Sequence, residues 1–138
     1  MTMKAEGGCY CGKVRFEVAG DVIFKGQCHC RECQYYSGGQ PNMVFGVPAT
    51  AFKLVSGAPG KFSRSDLEAP VTRSFCSSCG TPLWSESPFM PGAYLLKAGT
   101  LDNPADFGAA QMAIYMCDAQ PFHAKPEGIP VFDKAPGQ

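Results

Sequence analysis

Seven of the eight cysteines in this chain fall into three tight clusters, and their spacing constrains the fold more than any other feature. The clusters are Cys9 and Cys11; Cys28, Cys30 and Cys33; and Cys76 and Cys79. Thiolates two or three residues apart can bind one tetrahedral ion without straining the backbone, and a structural zinc ion takes four such ligands. The clusters therefore predict zinc sites that tie distant parts of the chain together.

The first and third clusters together supply the four thiolates of one closed site. Cys9 and Cys11 are at positions i and i+2, which face the same side of an extended chain. The segment Cys76–Gly80 has the form of a zinc knuckle, in which Gly80 allows a left-handed backbone conformation. We predict that these four cysteines hold a structural zinc ion.

The segment Cys28–Cys33 supplies only three thiolates, and three protein ligands with one open position are typical of a catalytic zinc. A fourth ligand from Cys117 would instead make a second closed site. We interpret Cys117 as a small buried side chain at the end of a strand, because free cysteines are often buried. His29 is expected to point away from the metal, whereas His123 lies in an irregular tail and could approach an open face.

An open position on a three-thiolate zinc has a specific chemistry. Three thiolates leave the site with a net negative charge, which makes the metal a weak Lewis acid but still a good partner for sulfur. A thiol that binds there loses its proton. The thiolate could then attack an electrophilic carbonyl carbon or be released from a carbon–sulfur adduct, so we predict a small-molecule thiol as substrate.

The chain has 138 residues, which predicts one domain over residues 1–138. Its 12 Lys and Arg residues balance its 12 Asp and Glu residues, so we expect neither nucleic acid nor a membrane surface as a partner. The start MTMKAEGG lacks the apolar stretch of a signal peptide, which favours a cytoplasmic protein. In that reducing compartment clustered cysteines bind metal or react more often than they form disulfides, the alternative that an even cysteine count leaves open.

Short runs of aromatic and β-branched residues, separated by glycine and proline, are typical of a mainly antiparallel β domain with little helix. Helix is expected only for a turn or two at Arg31–Tyr36 and a turn near Asn103–Phe107. The proline-rich segment Gln120–Phe132 is predicted to lie extended over the body, held by its apolar side chains Phe122, Ile129 and Phe132. The predicted strands are Val14–Val18, Met43–Val47, Ala51–Val55, Val71–Phe75, Ala93–Lys97 and Met112–Met116.

Three blocks of sequence resemble a known family. They are GGCYCGKVRFEV at Gly7–Val18, CHCRECQYYSGG at Cys28–Gly39 and FCSSCGTPLW at Phe75–Trp84. In order and spacing they resemble the signature blocks of the glutathione-dependent formaldehyde-activating enzyme family, which includes centromere protein V. The resemblance runs over nearly the whole chain, as far as the tail QPFHAKPEGIPVFDKAPG.

The resemblance implies a single-domain antiparallel β-tent fold with two zinc ions. The implied activity is that of a carbon–sulfur lyase, named in the condensing direction: glutathione and formaldehyde combine to give S-hydroxymethylglutathione. Many members carry basic residues directly after the triplet, where this chain has Gln34-Tyr35-Tyr36. The implied ligands are Cys9, Cys11, Cys76 and Cys79 for the structural zinc and Cys28, Cys30 and Cys33 for the catalytic zinc, which agrees with the ligand count.

Other residues near these motifs carry weaker expectations. Arg31 and Glu32 neighbour the triplet and are interpreted as part of a solvated turn. Arg73 and Lys97 could meet a substrate carboxylate, although charged residues on strands usually face water. Apolar residues beside the knuckle are interpreted as core, and these are Phe75, Leu83 and Trp84.

Two alternatives to the lyase remain. A non-catalytic module stabilised by zinc would bind a protein partner or a thiol, and it predicts two closed metal sites with a large exposed apolar patch. A nucleic-acid role, suggested by the centromeric relative, is disfavoured by the neutral charge and the lack of a basic stripe. Whether Cys117 completes the second site separates the enzyme from the closed-site module.

Overall fold

A computed structural model describes the chain from Met1 to Gln138. Ten strands, β1 to β10, follow one another as Thr2–Gly8, Arg15–Asp21, Phe24–Cys28, Asn42–Pro48, Phe52–Ser56, Gly60–Phe62, Thr72–Phe75, Pro82–Glu86, Ala93–Lys97 and Met112–Ile114. The α-helix, α1, is Arg31–Tyr36 and lies between β3 and β4. Four 3₁₀ turns are Ala49–Ala51, Ala98–Thr100, Pro104–Phe107 and Met116–Asp118. No helix has the length and apolar character needed to cross a bilayer.

The strands form two sheets, and the main core lies between them. The smaller sheet has the order β1-β2-β5, and the larger has the order β10-β3-β4-β9-β8-β7-β6. All pairs are antiparallel except β10 with β3. Phe16 of β2 and Phe52 of β5 pack against Trp84 of β8, with ring centroids 6.2 and 4.8 Å from the indole. The prediction of a mainly antiparallel β fold with little helix is confirmed.

Most of the predicted elements are present, and four strands are additional. The helix at Arg31–Tyr36 and the strand at Ala93–Lys97 have the predicted bounds. The additional strands are β1, β3, β6 and β8. In β1, Lys4 and Glu6 alternate with Met3 and Ala5, and only the latter two are buried. Apart from Thr2, this strand has none of the β-branched and aromatic residues on which the prediction relied, and its pairing with β2 provides the stability.

The tail after residue 120 lies along β10 through backbone hydrogen bonds. Ala113 N–H donates to Pro130 O at 2.9 Å, and Phe132 N–H donates to Ala113 O at 2.9 Å. Phe122 is 62% exposed, so the prediction that its side chain holds the tail is wrong. The backbone holds this segment because β10 is the edge of the larger sheet and its outer amide and carbonyl groups would otherwise have no strand to pair with.

Candidate metal centres

The first and third cysteine clusters meet at the edge of the core. Cys9 Sγ lies 3.6 Å from Cys11 Sγ, and Cys11 Sγ lies 3.8 Å from Cys76 Sγ. All four sulfurs, including that of Cys79, are within 4.8 Å of one another. Sulfurs bound tetrahedrally to zinc at about 2.3 Å lie about 3.8 Å apart. The four cysteines form no disulfide bonds in the structure, and their sulfurs could hold one metal ion.

Two turns present these sulfurs. Cys9 N–H donates to Val14 O at 3.0 Å, and Val14 N–H donates back to Cys9 Sγ at 3.2 Å. In the second turn, Cys76 N–H donates to Thr81 O at 2.9 Å, and Gly80 N–H donates to Cys76 O at 2.8 Å. Gly80 has φ of 79°, the left-handed conformation expected for the knuckle. The backbone of these two turns therefore aims the sulfurs toward one another.

Thr81 also favours the ionised form of a neighbouring thiol. Its hydroxyl lies 3.1 Å from Cys79 Sγ. Contacts with the hydroxyl and the backbone of Thr81 lower the pKa of Cys79 to about 5. Because metals bind cysteine as the thiolate, this ligand is already in the required state at neutral pH.

The second cluster is built where β3 passes into α1. Cys28 is the last residue of β3, Cys30 caps the helix, and Cys33 lies in its first turn. Cys33 N–H donates to Cys30 Sγ at 3.3 Å. The three sulfurs lie within 4.8 Å of one another, and no histidine, aspartate, glutamate or fourth cysteine joins the group. The triplet therefore offers three donors from one continuous segment.

The electrostatics of the triplet fit a cation. Contacts with Cys28 and Cys30 lower the pKa of Cys33 to about 3, and the positive charges of Arg73 and Lys97 act in the same direction against the effect of burial. The contacts with the other two thiols raise the pKa of Cys28. One thiolate forms readily, and further negative charge is costly unless a cation lies among the sulfurs. The donor set therefore suits a zinc ion.

Asn42 and Lys97 support the triplet from the larger sheet. Asn42 Nδ2 donates to Cys33 Sγ at 3.7 Å, and Lys97 Nζ donates to Asn42 Oδ1 at 2.9 Å. Burial lowers the pKa of Lys97 to about 8, although the negative charge of Cys33 opposes this. The role of Asn42 is absent from the sequence prediction, because it depends on the register that pairs Asn42 with Cys28. No signal along the chain itself could have found it.

Arg73 joins β7 to the helix that carries the triplet. Its Nη2 donates to Glu32 Oε1 at 3.1 Å, and its guanidinium lies 4.3 Å above the ring of Tyr36. The Arg73 side chain is only 12% exposed. Arg73 and Lys97 therefore do not face water as charged strand residues usually do, because both strands turn these side chains toward α1. Glu32, interpreted as part of a solvated turn, is an ion-pair partner.

Neither histidine belongs to the sulfur cluster. His29 is fully buried, its two ring nitrogens have no hydrogen-bond partner, and its ring lies 5.2 Å from that of His123. Burial lowers the pKa of His29, and His123 acts in the same direction. His123 Nδ1 accepts from Gln120 N–H at 2.9 Å, and its Nε2 lies 2.7 Å from Gly39 O, to which it donates. His29 thus points away from the sulfurs as expected, and His123 holds the tail to the loop after α1.

Cys117 is exposed and lies outside both clusters, so the prediction of a buried side chain is wrong. Tyr115 has φ of 57°, and the 3₁₀ turn Met116–Asp118 follows it. β10 therefore ends at Ile114, and the chain turns outward before it reaches Cys117. The eighth cysteine does not provide a fourth donor to the triplet.

A cleft of about 480 Å³ lies beside the triplet, between α1 and the chain that joins β6 to β7. Among the residues that surround the triplet, Glu32, Tyr36 and Arg73 also line this cleft. The remaining lining residues are Tyr35, Phe62, Arg64, Leu67, Pro70 and Val71. No cysteine lines the cleft, so its relation to the triplet is through these shared neighbours.

Comparison with known proteins finds relatives that carry the same name. A protein of Halomonas elongata, provisionally named glutathione-dependent formaldehyde-activating enzyme, is 31% identical over 106 residues, which cover 73% of this chain and 68% of the relative. A protein of Emericella nidulans with the same name is 31% identical over 87 residues, which cover 59% of this chain and 44% of the relative. The match thus spans less than half of the fungal protein.

A solved structure has a similar fold. The crystal structure of a Rhodobacter sphaeroides protein superposes with a TM-score of 0.58 at 22% identity, covering 76% of this chain and 96% of that chain. The family model described as "Glutathione-dependent formaldehyde-activating enzyme" matches residues 4–118, which include all seven clustered cysteines. This chain therefore belongs to the glutathione-dependent formaldehyde-activating enzyme family.

Proposed function

We propose that this protein is a zinc-dependent carbon–sulfur lyase that joins a glutathione-like thiol to a small aldehyde such as formaldehyde. The observation that carries the proposal is the triplet Cys28, Cys30 and Cys33, which offers three sulfurs and no fourth protein ligand. The names of the relatives support glutathione and formaldehyde as the substrates. The four-cysteine cluster would hold a second zinc ion with a structural role.

The triplet would supply three of the four ligands of a zinc ion. A zinc ion held there favours the thiolate form of a bound thiol at neutral pH. In the reaction, the thiol sulfur forms a bond to the carbonyl carbon, the carbonyl π electrons move onto the oxygen, and the thiol proton ends on that oxygen. The adduct forms without an oxidant or a reductant.

The residues around the triplet have two roles in this proposal. Asn42 fixes the orientation of the Cys33 sulfur by its hydrogen bond and is itself held by Lys97. Lys97 and Arg73 are the cations close enough to favour negative charge on Cys33. They are also the groups best placed to stabilise negative charge on the carbonyl oxygen as the carbon–sulfur bond forms.

The alternative of a non-catalytic module has less support. It requires two closed metal sites, whereas the triplet has three donors and Cys117 is exposed away from it. A cleft also opens near the triplet, whereas the module predicts an exposed apolar patch instead of a pocket. The lyase is therefore the function that the geometry supports best.

Two-dimensional exchange NMR tests the proposal, because it measures the interconversion of glutathione and S-hydroxymethylglutathione at equilibrium above the spontaneous rate. We expect the zinc-loaded protein to accelerate this exchange. Cys30→Ser should abolish the acceleration, and Cys117→Ser, which changes an exposed cysteine outside both clusters, should leave it unchanged. An acceleration that survives Cys30→Ser would refute the assignment of the triplet.

A further inference from the structure

The cleft beside α1 has mostly apolar walls. Tyr35 and Tyr36 of the helix form one side, and Phe62, Leu67 and Val71 contribute to the other. Tyr35 is 77% exposed, with the Arg31 guanidinium 4.9 Å from its ring, and Leu67 is 39% exposed, so parts of both side chains remain open to solvent. Such surfaces are stabilised when an apolar ligand group covers them.

The charged groups at this cleft are already paired with one another. Arg73 Nη2 donates to Glu32 at 3.1 Å, and Arg64 donates to both carboxylate oxygens of Asp66 at 3.0 and 2.6 Å. The charges of these two arginines and two carboxylates cancel, so the cleft has little net charge with which to attract a ligand carboxylate. An apolar group needs no such charge, which favours an uncharged, apolar occupant.

The cleft adjoins the surroundings of the triplet. Tyr36 and Arg73 line it, and the same two residues border a narrow crevice that reaches Asn42 and Lys97. Asn42 in turn contacts Cys33 Sγ. Tyr36 follows Cys33 by three positions on α1, so the two side chains are neighbours on the helix surface. A substituent on a sulfur held at the triplet would pass Tyr36 to reach the cleft.

The size of the cleft exceeds what the smallest aldehyde needs. A hydroxymethyl group on sulfur has a single carbon atom, whereas the cleft measures about 480 Å³. Pockets of this size usually bind groups of many atoms. An alkyl chain or an aromatic ring on the carbonyl carbon would occupy part of it.

We infer that the cleft between α1 and the β6–β7 connection binds the apolar substituent of an aldehyde larger than formaldehyde, so that the site joins its thiol to alkyl or aryl aldehydes. The inference rests on the proposed function, because the thiol is held at the triplet. The bond changes are those of the formaldehyde reaction: sulfur bonds to the carbonyl carbon and the thiol proton ends on the oxygen.

The binding test uses stable thioethers of glutathione with the zinc-loaded protein, measured by isothermal titration calorimetry. We expect S-hexylglutathione to bind at least about tenfold more tightly than S-methylglutathione, because five additional methylenes would be partly buried. Leu67→Asp and Phe62→Ala should reduce this ratio to within about threefold of unity, since both change the apolar wall. Leu54→Asp is the matched control, because Leu54 is 40% exposed against 39% for Leu67 and lies on β5 of the other sheet.

The kinetic test compares hexanal with formaldehyde as the partner of glutathione in the NMR exchange assay. Leu67→Asp should lower the ratio of the hexanal rate to the formaldehyde rate by about tenfold, and Leu54→Asp should not change it. Equal affinities for the two thioethers, with formaldehyde exchange intact, would overturn this inference and leave the proposed function standing. A preference for S-hexylglutathione over S-methylglutathione that Leu67→Asp and Phe62→Ala do not change would place the alkyl group elsewhere and would also overturn the inference. Absence of all triplet-dependent binding and exchange would overturn both.

Discussion

Loss of the four-cysteine cluster should destabilise the whole protein, and Cys76→Ser is the sharpest way to remove it. Cys76 is 2% exposed and joins the sulfur cluster to the core. The substitution replaces one proposed zinc ligand with an atom that binds zinc poorly, while it changes the side-chain volume very little. The main effect should therefore come from loss of the metal and not from a cavity.

The magnitude follows from the length of chain that the metal would close. Cys11 and Cys76 are separated by 65 positions in the sequence. A cross-link over a loop of this length restricts the unfolded chain by an amount equivalent to about 4 kcal/mol. In a chain of 138 residues this corresponds to a melting temperature lower by roughly 15 °C.

The triplet should behave differently, because an ion bound there links no distant parts of the chain. Its cysteines lie in one segment, Cys28–Cys33, that β3 and α1 already order. Cys28→Ser should therefore lower the melting temperature by only a few degrees, roughly a quarter of the effect of Cys76→Ser. Differential scanning calorimetry of the metal-loaded proteins measures both changes.

A chelator and a control variant complete the experiment. Removal of metal should lower the melting temperature of the wild type by slightly more than Cys76→Ser does, whereas Cys76→Ser itself should lose only the few degrees that the triplet contributes. Cys117→Ser should match the wild type, because this cysteine is exposed and outside both clusters. Equal destabilisation by Cys28→Ser and Cys76→Ser would refute the division into a structural and a catalytic site.

Three further predictions concern other parts of the structure. Asn42→Ala should lower the exchange rate by about tenfold or more and change the affinity of the triplet for zinc, measured with a competing chelator, because a sulfur loses its orienting donor. Gly57→Ala should lower the free energy of unfolding in urea by about 2 kcal/mol more than Gly92→Ala: both glycines have positive φ, but only at Gly57 would a Cβ lie 2.5 Å from a backbone oxygen. The hydrogen bonds from Arg15 hold the pKa of Asp102 below its usual value. Asp102→Asn should therefore lower the free energy of unfolding by under about 1 kcal/mol at pH 7. The difference in unfolding free energy between wild type and variant should disappear as the pH falls through the lowered pKa.

The strand predictions were correct where the local sequence pattern was strong. Ala93–Lys97 carries aromatic and branched residues and was predicted with its observed bounds, whereas β1 is built largely from small and charged residues and was missed. The prediction for Cys117 failed for a local reason as well: the left-handed conformation of Tyr115 ends the strand before Cys117. Neither the pairing of β1 nor the backbone of Tyr115 can be read from residue types alone.

The sequence by itself determined the cysteine groups, the mainly β fold and the family, because ligand spacing, strand composition and signature blocks are properties of short segments. Only the tertiary structure decided that Cys117 stays apart and that Asn42, Lys97 and Arg73 surround the triplet. The same is true of the cleft beside α1. These features depend on strand register and on which elements pack together, and register is set by the burial of whole faces across the molecule.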